Sequence, residues 1–250
     1  MNVLAHCRVY PLSTFYDPTA ISIDWLYKDL FGKTVFDFDE DDSTSNLESS
    51  KRKLGPIAFL HLIEHTFKVS TFKLNLLKKL VQSSPSQSFV LIIDVMSCWH
   101  ELIPSLSVED RSAVYMNSSS LLHFDALVNF LSQLNENPPE ALSRCQSPVN
   151  MQHQLAGIVI DNISYYTHDS ASYDLLFKLL RMLRKKYGCY TVTVGYGLEF
   201  YNGVEQQQPL APSQGYDIPT RLPMSYVKNM DCVVLRETDE LARTVYLRNS

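Results

Sequence analysis

A chain of 250 residues, 45% hydrophobic and 20% charged, can fill a core of its own, which excludes a wholly disordered protein. No apolar run reaches the ~18 residues of a spanning helix, and the start MNVLAHCRVYPLS has no basic-then-apolar leader, so a soluble intracellular protein is expected. The net charge of −5 is local in origin: six acids and no base lie between Phe36 and Ser50, and setting those six aside turns −5 into +1. Any contact with nucleic acid must therefore come from a local basic patch, not from bulk charge. The five cysteines (Cys7, Cys98, Cys145, Cys189, Cys232) are scattered with no CxxC, which points to reduced thiols and away from a cysteine-based zinc site.

In chain order, residues 2–10 read as a short strand closed by Pro11, and 21–31 as a short helix. Residues 37–53 are acidic, Ser-rich and polar, and read as a flexible loop. Ile57–Ile63 is an apolar strand. Over 70–82, Leu74, Leu77 and Val81 form a helical stripe with Leu76 and Leu80 beside it, while Lys73, Lys78 and Lys79 fall elsewhere. Phe89–Ile93 and Ala113–Met116 read as buried strands. Phe124, Leu127, Val128, Leu131 and Leu134 predict an amphipathic helix, followed by a polar, proline-containing stretch over 135–154. Gly157–Ile160 is the next strand. Leu175, Leu176, Leu179, Leu180 and Leu183 mark a helix with Asp174 near its start, Arg184, Lys185 and Lys186 near its end, and Gly188 as its cap. Tyr190–Val194 is a β-branched strand, 200–222 a long loop, and Asp231–Arg236 with Arg243–Leu247 a closing hairpin. Continuous apolar strands alternating with helices predict one α/β domain over 1–250 with a mainly parallel sheet flanked by helices.

Three patterns bear on chemistry. The aliphatic run 155–160 ends in Asp161, as in strands that present a magnesium-associated carboxylate. A phosphate loop should then occupy the turn after the first strand, because glycines let backbone N–H groups wrap the phosphates. That turn reads Glu64-His-Thr-Phe-Lys-Val-Ser70 and contains no glycine. The GKT at 32–34 is a coincidence: its required upstream glycine would fall at Tyr27, and acidic loop follows where a helix is needed. Without a phosphate loop to hold a nucleotide, Asp161 reads as a structural carboxylate and not as a metal ligand.

His61, Glu64 and His65 match the zinc-hydrolase pattern H-x-x-E-H, but that pattern needs a helix. Here it begins in a strand, where residues four apart lie roughly 13 Å from one another. A strand end is the plainer reading, with zinc as a remote alternative. Lys178, Arg181, Arg184, Lys185 and Lys186 form a basic helix face, read first as a solvated surface matched to the helix dipole. Lys51-Arg-Lys53 is short for a nuclear signal.

The series RVYPLSTF (8–15), FLHLIE (59–64), LIIDVMSCW (91–99), AVYMNS (113–118), EALSRCQ (140–146), GIVIDNIS (157–164), EFYNGVE (199–205) and TRLPMSYVKNMD (220–231) resembles the platinum-sensitivity (Psy) subunits of Shu complexes, which are RecA-like recombinase paralogues. The resemblance runs from end to end. It implies a RecA-like ATPase core with a degenerate phosphate loop, no cofactor and no enzymatic activity. It also implies a nuclear subunit that pairs with a Csm-type subunit and associates with two further small Shu-complex subunits. Recombinase and recombination mediators, and single-stranded or forked DNA, are the other implied partners; a membrane is not. The implied role is assembly of recombinase filaments in error-free repair by homologous recombination.

In RecA-like ATPases a glutamate follows the strand aligned with 91–95; here Met96 or Ser119 stands near that place, and neither activates water. The glutamine that often ends the next core strand is missing from TVTVGYG (191–197). Residues 200–222 take the position of the second DNA-binding loop, yet 205–217 contains no base, where the family carries a basic cluster. Fewer bases mean fewer released counterions and weaker, less salt-sensitive binding. Only Arg221 matches a basic position at the loop's exit, Lys228 lies nearby in the matched SYVKNMD, and Tyr201 and Asn202 lie in the matched entry; these four are the candidate DNA contacts. Tyr196, Phe200, Tyr201 and Tyr216 could stack on bases, although ordinary packing is the favoured reading of such aromatics. A subunit that touches only protein remains the alternative.

Overall fold

The computed structural model describes residues 19–26, 56–65, 69–116, 120–166, 169–197, 218, 220–236, 238 and 242–248. The expected strand at 2–10, the loop at 37–53, most of the loop at 200–222 and the far half of the helix expected at 21–31 lie outside them.

Seven strands form a single sheet: β1 (Phe59–Glu64), β2 (Ser88–Asp94), β3 (Arg111–Met116), β4 (Gln154–Asp161), β5 (Tyr190–Tyr196), β6 (Cys232–Arg236) and β7 (Ala242–Leu247). Their order is β3-β2-β4-β5-β1-β6-β7, with every pairing parallel except the β6–β7 hairpin. This is the α/β architecture expected of a RecA-like core. One strand, β5, separates the strand that enters the first turn from the strand that ends in Asp161. Strands β1, β2 and β5 are buried at every position, the signature of parallel strands covered on both faces.

Helix α1 (Thr71–Ser83) covers one face and packs Phe72, Leu76, Leu77, Leu80 and Val81 against Leu60, Leu62, Val90, Ile92, Val159 and Val192. The short α2 (Ile103–Leu106) joins it there. Helices α3 (Phe124–Glu136), α4 (Pro138–Ser143), α5 (Ser170–Tyr187) and α6 (Met224–Asn229) build the core of the opposite face with Phe89, Leu91, Ile93, Ile158 and Ile160. In α3 the buried stripe is Phe124, Leu127, Phe130, Leu131 and Leu134, with Val128 only partly buried. Helix α4 arises inside the polar, proline-containing stretch, with Pro138 and Pro139 in its first turn, where a missing N–H costs nothing.

Helix α5 starts at a cap that its pattern did not name, Asp169, whose carboxylate accepts the Ser172 N–H at 2.9 Å. Leu175 points outward, 46% exposed, while Tyr173 and Phe177 take the buried face beside Leu176, Leu179, Leu180 and Leu183. Gly188 does close the helix in the left-handed conformation (φ 68°), donating to the Arg184 carbonyl at 2.7 Å. Helix α6 was not foreseen. Just after it, Asp231 accepts the Ala58 and Phe59 N–H groups, both at 2.9 Å, and so pins the start of β1.

Candidate functional site

Because β1, β2, β4 and β5 are parallel, their carboxyl ends gather at one edge, where α/β sheets place their ligands. The residues ending these strands are Glu64, Asp94, Asp161 and Tyr196, and all four are buried. Asp161 lies 2.9 Å from the ammonium of Lys73, with both side chains almost fully buried. Lys73 comes from the first turn of α1, and its inward position overturns the reading that set it off the apolar stripe. The indole N–H of Trp99, in the turn after β2, donates to the same Asp161 Oδ2. The Lys73 ammonium also stands 5.4 Å from the Trp99 ring and 5.9 Å from the Tyr196 ring. A lysine so far from water requires a charged partner and aromatic faces of this kind. Asp161 Oδ1 has no hydrogen bond to any described residue.

Glu64 is engaged just as fully. Its carboxylate forms a buried ion pair with Arg236 at the end of β6 and accepts the Ser70 hydroxyl at 2.8 Å. Ser70 in turn caps α1, accepting the Lys73 N–H at 3.0 Å. Asp94 accepts from the N–H groups of Met96 (3.2 Å) and Trp99 (2.8 Å) and from the Tyr115 hydroxyl (3.0 Å). Burial raises its pKa above the usual carboxylate value; the Trp99 and Cys98 amides oppose that shift and the Asp161 charge adds to it. The Cys98 thiol is also raised, by burial first and then by the charges of Asp94 and Asp161, so it is a poor nucleophile.

The RecA-like core that the family resemblance implies would place a magnesium-bound nucleotide at this edge, and the residues present do not fit one. The turn over 64–70 has no glycine, the first turn of α1 is capped by Ser70, and a lysine of the chain already neutralises Asp161. Met96, at one position where a water-activating glutamate would stand, is 38% exposed and cannot take a proton.

The H-x-x-E-H pattern lies where a strand was expected, at the end of β1. His61 is fully buried against the Thr193 hydroxyl at 2.9 Å, while Glu64 belongs to Arg236 and Ser70. Among the described residues no group of three His, Cys, Asp or Glu side chains could hold a metal ion.

Of the four candidate DNA contacts, Tyr201 and Asn202 lie outside the described residues. Arg221 and Lys228 are both exposed. Gly197 and Thr220 form an antiparallel bridge, so the chain leaves β5 and returns through one neck, with Arg221 directly beside it. Lys228 sits in the last turn of α6. Tyr196 is fully buried, which assigns it to packing and not to base stacking. On α5, Lys178, Arg181 and Lys185 are exposed, whereas Arg184 bonds the carbonyls of Ile21 (2.9 Å) and Cys189 (3.1 Å).

The residues that sequence reasoning missed are Lys73, Trp99, Ser70 and Arg236. A lysine one residue from a fully apolar stripe was the available signal for the first.

A family model described as Shu complex component Psy3, DNA-binding, matches residues 7–239. The chain belongs to the Psy3 family. A curated relative, Platinum sensitivity protein 3 of Saccharomyces cerevisiae, is 35% identical over 251 residues, covering 95% of this chain and 93% of that one. Among solved structures, the cytoplasmic domain of the type VII secretion ATPase EccC from Thermomonospora curvata aligns at a TM-score of 0.39 and 13% identity, over 72% of this chain and 19% of that one. The ATPase DotB of Legionella pneumophila aligns at 0.36 and 12%, over 76% and 45%. This Psy3-family chain thus spans less than half the length of either ATPase.

Proposed function

We propose that the chain is a non-catalytic, DNA-contacting subunit of a Shu-type complex that works in the nucleus. It pairs with a Csm-type subunit, associates with two further small subunits, and promotes assembly of recombinase filaments in homologous recombination and error-free repair. Family membership supports the complex. The observation that carries the non-catalytic part is the Lys73–Asp161 ion pair beside a glycine-free turn. Asp161 is a remnant of a nucleotide site on this reading. Arg221 and Lys228 would meet phosphates at the exit of the long loop, with Tyr201 and Asn202 at its entry. The whole chain is read as one domain.

The base-free stretch 205–217 favours a second reading, in which this subunit contacts protein alone and its partner carries the DNA. A titration of single-stranded DNA against this subunit, its partner and the pair, across salt concentrations, separates the two. Direct contact predicts salt-dependent binding by the pair that Arg221→Ala weakens. Binding indifferent to Arg221→Ala and Lys228→Ala favours the second reading. ATP turnover abolished by Asp161→Ala would sink the non-catalytic assignment.

A further inference from the structure

We propose that Lys73 is a tethered internal counter-ion that stands in for the metal and phosphates of an ATPase, and that through Tyr196 it fixes the Gly197–Thr220 neck of the long loop without any nucleotide. The inference rests on the reading that the chain binds no nucleotide and presents residues beyond this neck to DNA.

Lys73 closes a circuit of contacts. Its backbone N–H is held by Ser70 Oγ at 3.0 Å, and that hydroxyl donates to Glu64 at 2.8 Å. The Glu64 carbonyl accepts the Gly197 N–H at 2.9 Å, and Gly197 bridges Thr220. Next to Gly197, the Tyr196 N–H donates to Ser164 Oγ at 2.9 Å, and the Tyr196 ring returns to the Lys73 ammonium at 5.9 Å. One residue thus ties the start of α1, the end of β1 and the end of β5 to the carboxylate that ends β4. A purely structural core pair would need none of these links to the neck. A buried ion pair adds little net stability over apolar side chains of the same volume, so stability alone does not explain its retention. Its geometry explains more. The ammonium lies between Asp161 and two aromatic rings, one of which ends the strand that leads into the neck. Lys73 is a positioning residue here, acting on the loop through Tyr196.

The test uses the full chain and three measurements: thermal melting with and without magnesium-ATP, hydrogen exchange of the peptide containing Gly197, and anisotropy of a fluorescein-labelled oligothymidylate. In the wild type, magnesium-ATP should change neither melting nor exchange at the neck. The double variant Lys73→Met/Asp161→Asn removes both charges and leaves no unpaired ion. It should keep the native circular dichroism yet exchange at Gly197 at least about threefold faster, the lower end of what losing a cation–π contact produces. DNA affinity should fall by a similar factor. Tyr196→Leu leaves the ion pair in place and should loosen the neck in the same way, which guards against a double variant that fails to fold. Wild-type exchange at Gly197 in either folded variant overturns the proposal, as does a melting temperature raised by magnesium-ATP. If Arg221→Ala leaves DNA affinity unchanged, the DNA reading fails by itself, and exchange at the neck still decides the role of Lys73.

Discussion

His61 should make this protein lose stability as the pH falls below about 6.5. Its ring lies within β1 with no exposed surface, touching the Thr193 hydroxyl at 2.9 Å through Nδ1 and meeting the Tyr226 ring edge-on at 6.4 Å. Burial drives the imidazole pKa from 6.5 down to about 3, with a backbone hydrogen bond at Thr193 opposing only part of that. Between those two values the unfolded chain carries one more proton than the folded chain, so unfolding is favoured progressively as pH decreases. One group contributes about 1.4 kcal/mol per pH unit, which amounts to about 2 kcal/mol lost by pH 5. Any folded pKa below about 4 gives nearly the same figure, because the protonated fraction of the folded state at pH 5 is then small. For a chain of this length the loss corresponds to a melting temperature lower by roughly 4–8 °C. Urea unfolding of the wild type and of His61→Gln at about pH 7.5 and about pH 5 isolates the effect, since every other titrating group acts in both proteins. The glutamine variant should lack about 2 kcal/mol of the wild-type acid sensitivity. Equal sensitivity in the two proteins would refute the reasoning.

Gly157 should not tolerate a methyl group: a Cβ there would fall 2.2 Å from two ring carbons of the buried Tyr190, and Gly157→Ala should cost about 1–3 kcal/mol or more by urea titration. Adding Tyr190→Leu should recover part of that loss, because the two substitutions relieve one clash. Lys73→Met alone, which strands Asp161 as a buried charge, should destabilise by about 3–5 kcal/mol in the same assay, and Asp161→Asn in that background should restore much of it. Asp169→Ala removes the carboxylate that caps α5 and should cost about 1 kcal/mol. Arg221→Ala should lower the slope of log affinity for single-stranded DNA against log salt by about 1 if the guanidinium meets one phosphate; an unchanged slope counts against that contact.

The strands were legible because a parallel sheet covered on both faces imposes an unmistakable pattern. Phe89–Ile93 has no polar residue and Tyr190–Val194 is β-branched after its tyrosine, and each is buried throughout. The cap at Gly188 was legible for a similarly local reason, since the left-handed conformation favours glycine. Leu175 was misjudged because helical spacing alone leaves two adjacent faces of α5 nearly equivalent, and the aromatic contacts of Tyr173 with Phe124 and Tyr226 decide between them. Helix α6 has only six residues and follows a proline, so no periodicity could announce it. The site was half legible. The missing glycines and Asp161 are sequence facts, but the partner of Asp161 lies 88 residues away and belongs to a residue type that ordinarily faces water.

Three carboxylates end strands of this sheet at the edge where an ATPase would meet its ligand, and each is answered from within the chain. Glu64 has Arg236 and Ser70, Asp94 has two backbone amides and a tyrosine, and Asp161 has Lys73 and Trp99. Removing the glycines of a phosphate loop removes the phosphates and their metal, and a buried carboxylate left without a cation costs several kcal/mol. A cation carried by the chain itself removes that cost without requiring nucleotide. The requirement is met by the first turn of α1, whose residues follow directly on the altered loop. The same turn is capped by Ser70, which also holds Glu64, so relief of the Asp161 charge and attachment of the loop neck arise from one short segment. On the proposed non-catalytic reading, such a site makes the neck geometry independent of nucleotide concentration.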